Sequence, residues 1–405
     1  MTDALKARDA KDVEDAVRWA LAEGKTLELA GRGSKRTLGR PSQSDITLDL
    51  SGLSGVTLYE PEELVLSARA GTPLTEIEAL VEQRGQQLAF EPMDYGPILG
   101  GPANAGSLGG ALAANLSGPR RIKAGAARDH FLGFSAVSGR AETFKSGGRV
   151  VKNVTGYDLC KLLAGSFGTL AAMTEVTIKT LPRPETEATV LILGLDDARA
   201  NQAMSAAMAS SCDVSAAAHL PRNVATHFDG HYGSAAATAF RLEGFAPSVR
   251  HRKEALTALL RPHGTLESID EARSRTFWRS VRDAAPFGAA GSAGDGPLWR
   301  VSTTPARGAE FAAKMPPGAQ WFYDWAGGLI WVALPPSHSA GAATIRRAAA
   351  STGGHATLVR ATAATRAAVD VFEPQRGALA GVTKRVKESF DPKGVLNPGR
   401  MWAGV

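Results

Sequence analysis

The sequence predicts an α+β fold in two parts, and three observations carry the prediction. Helical and strand-like patterns alternate through the first 90 residues. Short β-type runs separated by glycine turns occupy 131–179. A break at Leu181-Pro182-Arg183-Pro184-Glu185 then precedes a stretch richer in alanine and poorer in glycine motifs. Alternating helix and strand around one core indicate an α/β or α+β domain. The two prolines of the break forbid regular structure and stiffen the link. With 405 residues the chain can hold two domains, each with a full core.

In order, residues 12–22 read as an amphipathic helix. Val13, Ala16, Val17, Ala20 and Leu21 recur at helical spacing and Gly24 stops it. A strand at 26–29 runs into the glycine turn Ala30-Gly31-Arg32-Gly33-Ser34-Lys35. Residues 46–50 and 65–70 have strand character, and 73–83 form a second helix with Thr72 as N-cap and Pro73 as first helical residue. Strands are expected at 134–137 and 175–179, a mobile Ala/Gly/Pro loop at 284–296, and a final helix at 384–390. There is no internal repeat.

Composition narrows the function. Cys160 and Cys212 are the only cysteines, which excludes a disulfide framework and fits a reducing, cytoplasmic setting. No apolar run approaches the ~20 residues of a membrane-spanning helix. Residues 1–18 are polar, with both charge signs and no apolar core of a secretory signal. The net charge of +6 is modest, and its one local excess is Arg120, Arg121, Lys123 and Arg128. That cluster reads as a solvated basic loop, as a site for an anionic cofactor, or as a surface for an acidic partner. Nucleic acid fits worst, because no aromatic residues for base stacking accompany the charges.

The most informative segment is Gly106-Ser107-Leu108-Gly109-Gly110-Ala111-Leu112-Ala113-Ala114-Asn115-Leu116-Ser117-Gly118. Few Cβ atoms hold a ligand away from such a backbone. No acid repels an anion, and free N–H groups can cradle one. The alternative is a small-residue helix packed tightly on a neighbour. The earlier turn, Gly31 to Lys35, is neither a dinucleotide fingerprint nor a nucleotidase phosphate loop. It still offers an anion nest, to which Ser34 adds a hydroxyl and Lys35 a cation. Two such segments suggest a large phosphate-bearing cofactor gripped from two sides. A third cluster joins Lys152-Asn153-Val154-Thr155-Gly156-Tyr157-Asp158-Leu159 to Gly165-Ser166-Phe167-Gly168-Thr169.

The order Gly31-Arg32-Gly33-Ser34, Glu91-Pro92, Ser107-Leu108-Gly109-Gly110, Arg128-Asp129-His130, Thr155-Gly156-Tyr157-Asp158, Gly165 to Thr169 and a Leu396-Asn397-Pro398-Gly399-Arg400 tail resembles the vanillyl-alcohol-oxidase-type (PCMH) flavoprotein family. Leu38-Gly39-Arg40-Pro41, Gly118-Pro119-Arg120-Arg121, Leu298-Trp299-Arg300 and Gly353-Gly354-His355-Ala356-Thr357 look most like the FAD-binding E subunits of bacterial glycolate oxidase.

The resemblance implies an α+β fold: a PCMH-type two-lobed FAD-binding domain (1–184), an α+β cap domain with antiparallel sheet (185–375), and a C-terminal segment (376–405) returning to the flavin domain. It implies that Gly31, Arg32, Gly33, Ser34 and Lys35 wrap the FAD pyrophosphate, while Gly106, Ser107, Gly109 and Gly110 lie along the cofactor's other side. Asn115, Ser117, Gly118 and Asp129 would stand near the flavin ring or its ribityl chain. Glu175 and Ile178 would lie beside the adenosine, and Gly39, Arg40 and Pro92 complete the set. Ser34 stands where some relatives have a tethering histidine, and 106–118 lacks cysteine, so the FAD is expected to be non-covalent.

His219, His227, His231, His251, His263, His338 and His355 do not pair with carboxylates at ligand spacing, so no metal is expected. His355 is the candidate flavin-facing base; its alternative is a loop histidine with a structural hydrogen bond. Trp278, Trp299, Trp321, Trp325 and Trp331 read as core or interface anchors, with flavin stacking as the weaker alternative. The implied activity is oxidation of glycolate to glyoxylate by hydride transfer to flavin. The implied partners are a second FAD-containing catalytic subunit and an iron–sulfur subunit, with any inner-membrane contact made through them. An electron-relay subunit, a self-sufficient 2-hydroxy-acid dehydrogenase and a non-catalytic assembly subunit remain open.

Overall fold

The structure, a computed structural model, describes residues 4–41, 43–149, 156–228, 235–288, 291 and 294–405. Helix Ala10–Glu23 starts where the Asp9 carboxylate accepts the Asp12 N–H at 2.9 Å, and it stops at Gly24, whose φ of 61° suits glycine. Val13, Ala16, Val17 and Ala20 form its buried stripe. They pack on a three-stranded parallel sheet in the order Ala4–Lys6, Ile46–Asp49, Leu27–Ala30.

A second lobe is a five-stranded antiparallel sheet: Val56–Glu60, Val65–Arg69, Ala171–Lys179, Phe131–Ser138, Thr143–Gly147. Helices Leu74–Glu82 and Leu108–Ala113 share its core, with Leu74, Ile77, Leu108, Ala111 and Leu112 buried. Thr72 is not the N-cap of the first of these. Pro73 is, and the Thr72 hydroxyl instead donates to the Arg69 carbonyl at 2.6 Å, closing the turn before the helix. The break at 181–185 is also more ordered than its prolines suggest. Leu181–Pro182 pairs with Gln86–Gln87, and the Arg183 N–H, beyond the proline, donates to Gly85.

The remainder is built on an eight-stranded antiparallel sheet in the order Leu266–Ile269, Thr186–Leu193, Ala237–Gly244, Ala216–Leu220, Gln320–Asp324, Leu329–Ala333, Leu298–Ser302, His355–Arg360. Strand residues alternate between two faces. One face is covered by helices Asp197–Met208, Ala246–Leu260 and Ala342–Ser351, through residues such as Met204, Leu256 and Ile345. The other meets Leu38, Met93, Tyr95 and Leu116 of the N-terminal lobes and Phe277 and Trp278 of helix Glu271–Arg282. Trp278, Trp299 and Trp331 are fully buried.

At that boundary four charges form a buried square. Arg241 donates to both oxygens of Glu91 at 2.8 and 3.0 Å, and Arg120 to both oxygens of Glu243 at 2.7 and 3.1 Å. The cross pairs, Arg120 with Glu91 and Arg241 with Glu243, close at 3.3 and 3.4 Å. Burial alone would push Glu243 up, but Arg241 and Arg120 outweigh it and hold its carboxyl down at about 2.

The chain's last element returns to the first sheet. Helix Ala378–Phe390 begins a turn and a half before the expected 384, because that first part buries no apolar face to mark it; Lys387 is the helix's only buried residue. The Lys387 ammonium donates to Asp391 at 2.7 Å and to the carbonyls of Thr169 and Leu396 at 2.6 and 2.9 Å. Asp391 accepts the N–H groups of Val395 and Leu396. Leu396 then bridges in parallel to Leu27 at the edge of the three-stranded sheet.

Replacing Arg241 with Met strands Glu91 and Glu243 without their main counter-charge. Breaking a buried pair this way costs about 3–5 kcal/mol. Urea denaturation at neutral pH is expected to show that loss. The gap from wild type should shrink as the pH falls through the carboxylate range, because the stranded acids then take up protons while the wild-type Glu243 holds its charge down to about 2.

Candidate cofactor cleft and the sheet face beside it

A cleft opens where the Leu27–Ala30 strand ends. Its walls are the Gly31 to Arg36 turn, helix Leu108–Ala113 with Ser107, the Phe167-Gly168 corner, strand residues Ala171 to Met173, and Asn397 and Arg400 from the tail. Glycine is used in two ways here. A Cβ on Gly31 would stand 2.6 Å from the Ser107 hydroxyl, and one on Gly110 3.0 Å from it and 3.3 Å from Lys35 Cε. These two positions let the turn and the run close on each other. Gly109 instead packs the short helix against Ala70, where a Cβ would lie 2.7 Å from both the Ala70 side chain and its carbonyl. The cradle and the tight-packing readings of the run therefore both describe it, at adjacent residues.

The cleft's charge is one-sided: among the described residues its lining includes Arg32, Lys35, Arg36 and Arg400 and no carboxylate. Arg36 is neutralised by Glu28 below the turn. Lys35 has only the Ser34 hydroxyl at 3.0 Å, and burial, opposed by Asp94 and reinforced by Arg400, pushes its ammonium down to about 8. Arg400 donates Nη2 to the Lys35 carbonyl at 2.8 Å, while its buried Nε has no partner. Lys35 and Arg400, short of counter-charge beside a glycine turn, together with the exposed Arg32, fit a group bearing two phosphates.

The tail fixes this geometry. Asn397 accepts the Leu29 N–H at 2.8 Å and donates its Nδ2 to the Phe167 carbonyl at 2.8 Å. Phe167 in turn donates its N–H to Ala113 at the end of the run's helix. One asparagine thus holds three walls together.

Of the residues expected from sequence, Gly31, Arg32, Gly33, Ser34, Lys35, Ser107, Gly109 and Gly110 line the cleft. The others stand outside that lining. The Gly39 carbonyl accepts from Arg366 at 2.7 Å and the Arg40 N–H donates to the Arg400 carbonyl, so both hold the tail. Gly106 packs on Leu74, and Pro92 is buried beside Glu91. Asn115 accepts the Arg128 N–H, Ser117 the Ala127 N–H and Asp129 the Ala126 N–H, three bonds that shape the basic loop. Gly118 makes room for Glu91 and Arg282, Glu175 pairs in register with Arg69, and Ile178 is buried in the core of its sheet. Lys152 to Thr155 and His231 lie outside the described residues. Asn397 and Arg400 were legible as part of the tail motif, but their roles in the cleft depend on where the tail lands.

Beyond the run, the eight-stranded sheet presents a second feature. After strand Gln320–Asp324 the chain turns through Trp325, Ala326 and Gly327, with φ of 51°, 53° and 97°. Two non-glycine residues in the left-handed region store strain. The turn is held by the buried Asp324, which accepts the Trp325 N–H at 2.7 Å, and by Trp325 Nε1, which donates to the Gly118 carbonyl at 3.0 Å. Arg121 lies 4.2 Å and Arg300 4.9 Å from the Trp325 ring centroid. His355 is exposed at the start of its strand, opposite Ser302, so Arg300, Ser302, His355 and Thr357 share one face. Although the residue as a whole is exposed, partial enclosure of its ring, then the charges of Arg300 and Arg121, shift the His355 imidazole below its ordinary range and favour its neutral form.

The two lobes and the antiparallel sheet that caps them are those of a PCMH-type flavoprotein. The FAD binding domain family matches residues 4–147. p-Cresol methylhydroxylase with substrate bound superposes with a TM-score of 0.71 over 98% of this chain and 88% of its own, at 13% identity, which is a likeness of fold. The glycolate oxidase subunit GlcE of Escherichia coli (strain K12) is 34% identical over 390 residues, 96% of each chain. The chain belongs to this GlcE family of FAD-binding proteins. The glycolate oxidase subunit GlcD of Bacillus subtilis (strain 168) is 30% identical over 153 residues, 38% of this chain and 31% of that one.

Replacing Lys35 with Met removes one of the underpaired cations. FAD affinity, measured by fluorescence titration of the apoprotein, is expected to fall about tenfold to a hundredfold, the scale of one charge-assisted hydrogen bond. An anion favours the protonated lysine. Wild-type affinity should therefore be full below about pH 8 and weaken as the pH rises through that value, and the Met variant should lose this dependence.

Proposed function

We propose that this chain is the FAD-binding subunit of a glycolate-oxidising complex and that it takes a hydride from a small 2-hydroxy acid. The observation that carries the reading is the cation-lined, carboxylate-free cleft in a chain similar to GlcE along nearly its whole length. Bound FAD supplies the two-electron acceptor. Gly31 to Lys35, Ser107 and Gly110 would hold its pyrophosphate by backbone N–H groups, hydroxyls and the Lys35 ammonium, with the Arg400 guanidinium from the tail as a second cation. Ser34 offers no imidazole for a tether, so the FAD is held non-covalently.

Oxidation of a 2-hydroxy acid removes the carbon-bound hydrogen with its electron pair and the hydroxyl proton. A neutral ring nitrogen of His355 accepts that proton. The electrons leave through partners, a second FAD-containing catalytic subunit and an iron–sulfur subunit, since Cys160 and Cys212 are buried in separate hydrophobic cores and form no cysteine cluster for an iron–sulfur site. No helix among the described residues is long and apolar enough to cross a membrane. The subunit works in the cytoplasm and reaches the inner membrane through those partners.

The purified chain tests this reading. It should be yellow, release its FAD on acid precipitation, and bleach anaerobically with glycolate. Yellow protein that bleaches only with its partners present identifies a relay subunit, and colourless protein an assembly role. His355→Gln should lower the bleaching rate about 10²–10⁴-fold, the range for general acid–base groups, at unchanged FAD content. The wild-type rate should fall with decreasing pH only below the ordinary imidazole range, where His355 becomes protonated.

A further inference from the structure

Several buried and half-buried arginines along the boundary between the lobes and the cap sheet have acceptors, and two stand apart. Arg120 and Arg241 share Glu91 and Glu243, Arg282 pairs with Asp283, Arg366 donates to Gly39, and Arg360 donates to four carbonyls. Arg121 and Arg300 lean on one indole, that of Trp325, and neither guanidinium makes a hydrogen bond or ion pair among the described residues. A guanidinium carries five N–H donors. Two of them around a single ring repel each other, and Arg300 holds Arg121 below its ordinary range, second only to burial. The nearby acids are engaged elsewhere: Glu373 binds Arg346 at 2.7 Å, and Asp129 caps the Ala126 N–H.

The platform under them is rigid. Trp325 is fixed by Asp324 on its N–H and by Gly118 on its indole nitrogen, in a left-handed turn that leaves little freedom. An underpaired positive pair on a rigid apolar plate is a receptor for a planar anion, and a carboxylate fits the guanidinium fork. His355 stands on the same sheet face as Arg300. We propose that Arg121 and Arg300, braced on Trp325, form a carboxylate site that takes the acid group of the substrate at the cap face. The proposal rests on the reading of the chain as a 2-hydroxy-acid oxidoreductase subunit and assigns the residues that would hold such an acid.

The test uses the full FAD-loaded chain with oxalate, a redox-inert carboxylate, and ethylene glycol as the uncharged control, read by isothermal titration calorimetry. Oxalate should bind saturably and ethylene glycol should not. Arg300→Gln and Arg121→Gln should each weaken oxalate at least about tenfold, with FAD content and melting temperature unchanged. Arg300→Lys should recover part of the affinity, and Arg307→Gln, at an exposed pair with Glu310, should have no effect. If a Gln variant melts early, the Lys variant and Trp325→Phe carry the comparison. Wild-type protein that ignores oxalate, or Gln variants that bind it as tightly as wild type, would overturn the site. Oxalate binding lost in both Gln variants, in a chain whose flavin glycolate does not bleach, would keep the site and refute the oxidation.

Discussion

Two arginines and two glutamates, buried together where the cap sheet meets the N-terminal lobes, set the position of nearly everything functional in this protein. Charges taken from water cost several kcal/mol each, and mutual attraction returns that only when every donor is matched. Here Arg241 grips Glu91 and Arg120 grips Glu243, each through two hydrogen bonds, and the cross pairs complete the square. The result is better read as a device for alignment than as a source of stability. Glu91 sits at φ 48° just before Pro92, and its carboxylate also accepts the Arg120 N–H. Satisfying the square therefore fixes the Gly118-Pro119-Arg120 corner, and with it the carbonyl on which Trp325 hangs.

From that corner the geometry runs two ways. Toward the N-terminal lobes it anchors the end of the glycine run whose beginning walls the cofactor cleft. Toward the cap it places the Trp325 turn, Arg121 and the strand carrying Arg300. The glycine run is thus a shared beam. Gly109 packs it onto Ala70, Gly110 and Ser107 face the cleft, and Gly118 meets the cap. The candidate cleft lies at one end of this run and Arg121 just past the other, where the Gly118 carbonyl holds the Trp325 indole.

Much of this could be read from the sequence where the signal is local. The periodicity of 12–22 marked its helix to within two residues, because its buried stripe is its own. The glycine turns marked the cleft, because only small residues permit that approach of two backbones. Thr72 misled: a threonine before a proline has the composition of a cap, but a closer carbonyl at Arg69 captured its hydroxyl. The final helix was read short, since its first part packs against nothing apolar. Other features had no local signal. Arg241 meets Glu91 across 150 residues, and no glycine announces left-handed backbone at Trp325 and Ala326. Asn115, Ser117 and Asp129 sit within a motif but spend their side chains on backbone N–H groups of the basic loop, a division of labour that spacing alone does not reveal.

The tail has a bearing on how the protein is made. Asn397 and the Lys387–Asp391 pair join the Leu27 strand to the Phe167 corner and, through it, to Ala113 of the glycine run, although they leave the ribosome after all of them. During synthesis the first lobe can fold around its helix, but its sheet edge stays open and the cleft lacks its Arg400 wall until the tail emerges. The order of translation thereby becomes an order of assembly. A chain interrupted before this tail lacks the Leu396 bridge at the Leu27 strand edge and the Arg400 wall of the cleft.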